Sequence, residues 1–332
     1  MTFMESIVRN IRKRNISLHS LGQLTLTEPT LVLTLGVVIV MSFLNPYFLT
    51  LNNILNILRQ ASVVGIVTCG VSWMMISGSF DLSVGSIVSF VGIAFLTMIN
   101  KGMSVPVIFV LSLLIGLLCG VLNGLLISWL KANPMIVTLG TLSIFQGFAF
   151  LTSGGDYIKV PDNTPFLWIA NGKIGLLAVP TLIFFGLAII MQYILTETPF
   201  GNRVYAIGGN ERAARLAGIK VSQYRLILYV VTGLCSALAA MIVTIRGGYA
   251  NNQAGLGFEF NAITAAVLGG CYLFGGKGST LRGLWGAILL ALLGNAMTII
   301  RISPSNQLIV QGIVLICMVS VQVYVYNRTK SE

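Results

Sequence analysis

The chain has 332 residues, 56% of them hydrophobic and only 9% charged, with a formal net charge of +11. Soluble domains carry about 25% charged residues, and a globule with a mean hydropathy of +0.91 cannot cover its outside with polar groups. This excludes a soluble enzyme, a secreted disulfide module and a disordered chain. It predicts an all-α polytopic membrane protein.

Residues 1–29 read as a cytosolic lead-in carrying Arg9, Arg12, Lys13 and Arg14, with the single histidine, His19. No signal peptide is read there, because the first long apolar run starts near Thr30 and no small-residue cleavage site follows it. About ten transmembrane helices are expected, near 30–47, 62–78, 86–100, 105–129, 135–152, 175–195, 226–245, 261–274, 283–300 and 307–326. Together they define a transmembrane domain, 30–326, before a cytosolic tail, 327–332. The second, third and eighth runs are short and adjoin glycine-rich stretches. Interruptions of this kind mark backbone that lines a cavity instead of facing lipid.

With the N-terminus inside and every run crossing, fourteen of the 20 basic residues fall inside and six outside. The excess has the sign expected of cytoplasmic loops, so both termini are placed in the cytoplasm. The same basic residues show no aromatic interleaving, and no nucleic-acid partner is expected.

Segment 49–60 reads as a separate amphipathic helix at the outer interface, with Leu51, Ile54, Leu55 and Leu58 on one face. Gly116, Gly120 and Gly124 form a smooth stripe for close helix packing, with Asn123 beside it able to bond a neighbouring helix. Segments 64–86 and 262–283 share a weak pattern, a short span and a Gly/Ser break before the next helix, which suggests an internal duplication. Cys69, Cys119, Cys235, Cys271 and Cys317 lie in or beside apolar runs without CxxC spacing and read as buried free thiols. No metal site is expected.

Asp81 follows a short span and opens the next helix. A carboxylate there needs water, a partner or backbone N–H groups. With Ser83 and Ser86 it is expected to cap that helix, and Gly85 permits tight packing beside it. Glu259 is placed at the outer edge, either capping the eighth span or meeting a docked protein; Asn251, Asn252 and Gln253 form a polar cluster in the same loop. Asn123, Gln146, Asn295 and Gln311 are candidate polar groups of a lumen, and no substrate-binding residue is assigned.

The longest polar stretch between late spans, 196–225, holds five basic residues. Thr198 is expected to cap a helix with Pro199 at its first position. Gly208 or Gly209 would end it in a left-handed turn. Asn210 would cap a second short helix, with Glu211 at its positive end, Arg215 near its negative end and Gly218 as its stop. Phe200, Val204 and Ile207 form an apolar face on the first helix, and Ala213, Leu216 and Ala217 a small one on the second. Two capped helices on a cytosolic loop suggest a docking knob; a solvated loop with ordinary caps is the alternative.

The stretch GGKGS at 275–279 fails as a phosphate loop, since Cys271 stands where the first glycine of the motif is required and Gly278 follows Lys277. Gly269, Gly270, Gly275, Gly276 and Gly278 read instead as a tight turn between spans. No nucleotide site, cofactor or catalytic residue is therefore expected in the chain.

Three blocks carry a resemblance. SGSFDLSVGS (77–86), TPFGNRVYAIGGNERAARLAGI (198–219) and GFEFNAITAAVLGGCYLFGGKGSTLRG (257–283) are similar to blocks of the ribose/xylose/allose-type sugar permeases of bacterial ATP-binding-cassette importers. The likeness covers roughly 40–325. Ser79-Phe80 and Cys271-Tyr272 depart from the family's usual Gly-Ile and Thr-Ser. The resemblance implies a permease subunit in the bacterial inner membrane. Its segment around Thr198, Pro199, Gly201, Gly208, Gly209, Asn210, Glu211, Ala214 and Gly218 would meet a separate ATPase subunit, where ATP is used. An extracytoplasmic sugar-binding protein would deliver a monosaccharide, and a second permease copy or a similar permease would complete the pore. A nucleoside or quorum-signal permease of the same family is the alternative. An ion-coupled secondary transporter would need more intramembrane acids than Asp81, and a membrane-embedded enzyme would need paired catalytic groups.

Overall fold

The computed structural model of the protein describes residues 29–331; the lead-in, with His19 and its four basic residues, lies outside the described residues. The chain is largely helical. Seven helices are long and apolar enough to cross a membrane, and three more are shorter apolar helices.

In chain order these are α1 (Pro29–Leu44), α2 (Leu51–Ile76), α3 (Val84–Asn100), α4 (Val105–Leu130) and α5 (Pro134–Ser153). After β1 (Ile158–Lys159), α6 (Leu167–Asn171), β2 (Lys173–Ile174) and β3 (Leu177–Ala178) come α7 (Val179–Glu197), α8 (Pro199–Gly209), α9 (Glu211–Leu216) and α10 (Val221–Gly247). The chain closes with β4 (Tyr249–Ala250), α11 (Phe258–Leu268), α12 (Thr280–Ile299) and α13 (Pro304–Ser331). The last helix runs through the stretch read as a tail.

The separate amphipathic helix at 49–60 is not formed. Thr50 caps a helix by accepting from the Asn53 N–H, and nothing in the next 26 residues breaks it. The polar residues Arg59 and Gln60 sit inside one continuous α2. Its exposed first turns supply the amphipathic pattern, and from Ala61 to Ile76 it is almost wholly buried.

Helices α2, α10, α11 and α12 form the centre, while α4, α5 and α13 turn broad apolar faces outward. The glycine stripe of α4 lies against α10: a methyl at Gly116 would strike the Gly233 carbonyl, and one at Gly120 would strike the backbone at Tyr229. Two backbones thus touch along their length, with van der Waals contact where side chains would hold them apart. Asn53 of α2 and Asn295 of α12 exchange amide hydrogen bonds, 3.0 Å in one direction and 2.9 Å in the other.

At about 1.5 Å per residue, the 27 residues of α10 run roughly 40 Å, from α9 to β4. They define two ends of the molecule. The knob end carries α8 and α9. The hairpin end carries the antiparallel β1–β4 pair, Ile158 opposite Ala250 and Lys159 opposite Tyr249. Helix α11, with only 11 residues, covers about 16 Å and cannot span that distance. Four of the five cysteines are buried as expected, but Cys317 is exposed on α13.

Candidate coupling site and the helix breaks beside it

Helix α7 ends where Thr198 turns extended, φ −121° and ψ 155°, the conformation a following proline favours. Pro199 then opens α8 at a position where its missing N–H costs nothing. The Thr198 hydroxyl does not cap α8; it donates back to the Ile194 carbonyl at 2.6 Å. Val204 and Ile207 are buried and Phe200 half-buried, the apolar face read from the sequence. The Phe200 ring tilts against Trp73 of α2 at 5.3 Å and Tyr224 of α10 at 5.4 Å, so α8 bridges two central helices. Arg203 donates to the Tyr224 hydroxyl at 2.6 Å, and Tyr205 donates to the Gly278 carbonyl at 2.8 Å. Burial, and then Cys271 beside it, push the Tyr205 hydroxyl above its ordinary pKa.

The expected left-handed turn at Gly208 or Gly209 is absent. The helix ends instead at extended Asn210, φ −160° and ψ 100°, whose side chain accepts from the Ala213 N–H at 3.0 Å and caps α9. Glu211 pairs with Arg215 at 2.6 Å and with Arg225 at the start of α10. Burial alone would raise its carboxyl, but the two guanidinium groups hold it below the ordinary range. Gly218 takes φ +83° after α9, where the Ile219 N–H reaches the Ala214 carbonyl at 3.0 Å.

The residues singled out in this stretch divide by direction. Gly201 and Ala214 are buried in the body, and Gly208 faces it. Gly209, Asn210, Gly218 and their neighbours Arg212, Ala213 and Ala217 are exposed, and Leu216 is 84% exposed.

Gly208 is the point of closest approach. A methyl group there would strike the Ile76 carbonyl at the end of α2, with the Gly276 nitrogen 2.6 Å away. A methyl on Gly275 would lie 2.9 Å from Gly78 Cα, and one on Gly276 would lie 3.0 Å from Gly209 Cα. The Gly276 N–H donates to the Ile76 carbonyl at 2.8 Å. Three backbones meet here without an intervening side chain: the end of α8, the break after α2 (77–83) and the break after α11 (269–279). Gly269 presses on the Arg282 and Gly283 backbone, and Gly270, Gly275, Gly276 and Gly278 have positive φ in this turn. The two breaks are the segments paired by the weak sequence repeat.

The start of α12 is held from outside. Gln192 Oε1 of α7 accepts from the Ser279 hydroxyl at 2.9 Å, the Thr280 N–H at 2.9 Å and the Leu281 N–H at 3.3 Å. Trp73 donates its indole N–H to the Thr280 hydroxyl at 3.0 Å.

The first break climbs from the knob end to the start of α3. Tyr229 of α10 donates to the Phe80 carbonyl at 2.8 Å and lies 3.0 Å from the Ser79 hydroxyl. Asp81, 1% exposed, accepts through Oδ1 from the Ser83 N–H at 2.9 Å and the Ser83 hydroxyl at 2.6 Å. This closes a turn before α3; the Ser83 side chain makes no cap bond of its own, and the Ser86 hydroxyl donates to the Ser83 carbonyl at 2.8 Å. Asn123 donates to the Ser83 hydroxyl oxygen at 2.8 Å, the cross-helix bond its position suggested.

Glu259 is buried, and of its two expected roles it takes the one at the helix start. It is 4% exposed, and it accepts from the Gly257 N–H at 3.2 Å in the first turn of α11. The loop before it dips from the hairpin end into the body. The Gly255 N–H bonds the Ser89 hydroxyl at 2.8 Å, and Gly255 abuts Gly85. The first turns of α3 and α11 therefore pack against each other inside the molecule. The candidate lumen residues are dispersed: Asn123 bonds Ser83, Gln146 bonds the Asn252 carbonyl, Asn295 pairs with Asn53, and Gln311 is half-buried on α13.

At the hairpin end, an open cleft of about 500 Å³ is lined in part by Tyr157, Lys159, Asp162 and Tyr249. The two tyrosine rings meet edge to face at 5.4 Å.

Sequence reasoning missed Trp73, Gln192, Tyr205 and Tyr229. A signal existed for three of them, because a buried indole N–H or phenol O–H must find an acceptor. Gln192 gave none, since its partners lie 87 to 89 residues away.

Residues 53–319 match the family described as branched-chain amino acid transport system / permease component. The chain is 33% identical over 319 residues to the ribose import permease protein RbsC of Haemophilus influenzae, covering 95% of this chain and 99% of the relative. It is 37% identical to the ribose import permease protein RbsC of Bacillus subtilis, covering 85% and 88%, and 36% identical to the L-arabinose transport system permease protein AraH of Escherichia coli, covering 86% of each. No solved structure matches the chain.

Proposed function

The chain belongs to the branched-chain amino acid transport system / permease component family, and from that premise we propose that it is the membrane subunit of an ATP-driven importer for a monosaccharide. Both termini and the α8–α9 knob face the cytoplasm of a bacterial cell, in its inner membrane. The hairpin end faces outward, where a binding protein docks around the tyrosine-lined cleft and releases sugar. A second copy, or a related permease, completes the path. The relatives named for ribose and arabinose favour a monosaccharide over a nucleoside or a quorum signal.

One observation carries the reading: the contact of Gly208 with both helix breaks. An ATPase subunit seated on Gly209, Asn210, Leu216 and Gly218 pushes α8, and no flexible side chain stands between that push and the membrane segments. Interfaces packed this closely shift between discrete arrangements instead of deforming smoothly. Hydrolysis thereby moves the breaks between outward-open and inward-open states. The permease performs no chemistry and needs no cofactor of its own; ATP is consumed by its partner. Tight sugar binding inside would slow release, which fits the absence of a cluster among the four candidate lumen residues.

The test is reconstitution. The chain, its ATPase subunit and its binding protein in proteoliposomes should hydrolyse ATP faster when sugar-loaded binding protein is added, and should accumulate sugar only with ATP. Uptake by the chain alone, driven by a proton gradient, would refute the reading.

A further inference from the structure

We propose that the groove between α1 and α12 at the knob end holds an anionic phospholipid, its phosphate at Arg282 and Trp285 and an acyl chain against Leu31 and Leu35. The proposal rests on the chain lying in a bilayer, and not on the solute it carries. The groove has a volume of about 350 Å³. Thr30, Leu31, Thr34 and Leu35 of α1 form one wall, Arg282 and Trp285 of α12 the other, and Gly269 the floor. Both helices begin here. The Thr30 hydroxyl donates to the Leu268 carbonyl at the end of α11, and Gly269 presses on the Arg282 backbone, so the floor carries no side chain. Leu31, Leu35 and Trp285 are exposed, and the groove opens on the apolar outer surface of the bundle. In a bilayer that surface meets hydrocarbon. An empty groove there would forfeit contacts along both walls, and an acyl chain restores them.

The polar groups select the head group. Both threonine hydroxyls donate within the protein, Thr30 to Leu268 and Thr34 to the Thr30 carbonyl at 2.7 Å. The groove's other side-chain donors are the Arg282 guanidinium and the Trp285 indole N–H, three residues apart on one face of α12. Arg282 Nη1 lies 3.8 Å from the place where a Gly270 side chain would start, which sets the guanidinium beside the turn at the knob end. No described residue accepts from the Trp285 N–H. No carboxylate lines the groove, and Lys277 stands in the turn just before α12. A phosphate diester therefore meets only positive charge, while the cationic end of a zwitterionic head group finds no partner. The guanidinium fork matches phosphate oxygens, and an exposed indole belongs at head-group level. Basic pockets between membrane helices take anionic head groups in this way.

Fluorescence quenching of the full-length protein in bilayers tests this. Trp129→Phe with Trp168→Phe leaves Trp285 and the buried Trp73 as the emitting residues. Phosphatidylglycerol brominated on its acyl chains should occupy the groove, and quench Trp285, with about fivefold preference over brominated phosphatidylcholine, the scale of one basic residue near an anionic lipid. Arg282→Gln should make the two lipids equal. Lys131→Gln removes a basic residue at the same end, outside the groove, and should keep the preference. Unbrominated phosphatidylglycerol should restore the emission, and inorganic phosphate in the buffer should not. If Arg282→Gln does not fold, the comparison of the two lipids and the displacement by unbrominated lipid decide. Equal quenching by both lipids, a preference that survives Arg282→Gln, or displacement by inorganic phosphate overturns the proposal. So does a Trp285 that neither lipid quenches, since protein then covers the groove. Each of these results leaves the transport reading standing.

Discussion

The amide of Gly276 donates to the carbonyl of Ile76 at 2.8 Å, which ties the turn after α11 to the last residue of α2. Gly208 lies directly over this bond. Replacing Gly208 with alanine should drive a methyl group into the Ile76 carbonyl and cost about 1–3 kcal/mol, as overpacking does. Gly209 has open space where its Cβ would be, and Gly209→Ala should leave thermal unfolding unchanged. The pair is read by unfolding in detergent and by ATP-driven uptake; equal tolerance at both positions would remove the contact from the mechanism.

Leu216 is 84% exposed on the knob and its replacement by aspartate should change folding stability by no more than about 0.5 kcal/mol. The same variant should lose copurification of the ATPase subunit and with it stimulated hydrolysis. Retained assembly would move the docking surface elsewhere.

Gln192 holds the start of α12 with one oxygen. Gln192→Leu should leave the Thr280 and Leu281 N–H groups unmet and cost about 1–2 kcal/mol, the scale of a lost cap. Gln192→Glu keeps an acceptor beside a helix N-terminus and should be close to wild type. Hydrogen exchange of the first turn of α12 distinguishes the two.

The Asn53–Asn295 amide pair predicts non-additive loss. Asn53→Leu alone strands the Asn295 amide in the interior and should cost about 1–3 kcal/mol. The double variant Asn53→Leu with Asn295→Leu should recover most of that loss. Thermal unfolding of the three variants against wild type completes the cycle.

Glu211 makes α9 sensitive to acid. Its carboxyl is held below the ordinary range by Arg215 and Arg225, against the opposing effect of burial. A folded value below the unfolded one means that the pairing contribution is complete above the ordinary carboxylate range. It is lost as pH falls through the depressed folded value. Amide-exchange protection of α9, corrected for intrinsic rates, should be flat near neutrality and fall in acid, and Glu211→Gln should flatten the curve.

Ten apolar runs could be read in the sequence because lipid exposure writes itself as continuous hydropathy, and each run corresponds to an apolar helix. Helix α2 was cut in two because 49–60, with its one apolar face and its polar end at Arg59 and Gln60, reads as a separate amphipathic segment. Polarity does not break a helix, however, and the Arg59 carbonyl is met by Arg246 of α10 at 3.1 Å. Glu259 was read near an edge, as a cap or a docking contact, because the run at 261–274 was taken as a crossing; the structure buries it at the helix start. The first 11 residues from Phe258 form the helix, which begins deep in the body. Asn210 and Gly218 were legible as cap and stop because those roles are local. The importance of Gly208 was not, because it depends on Ile76 and Gly276, and a glycine chosen for lacking a side chain looks like one chosen for a turn.

Helix α10 runs unbroken through 27 residues, with Tyr224 near one end and Tyr249 two residues beyond the other. Backed by the glycine ridge of α4, it is a stiff rod. A displacement applied at the knob end would therefore arrive at the hairpin end as translation or tilt, undiminished by bending. Probes attached near each tip would report the same step at the same moment, and the two ends would keep time mechanically, without a signal having to diffuse between them.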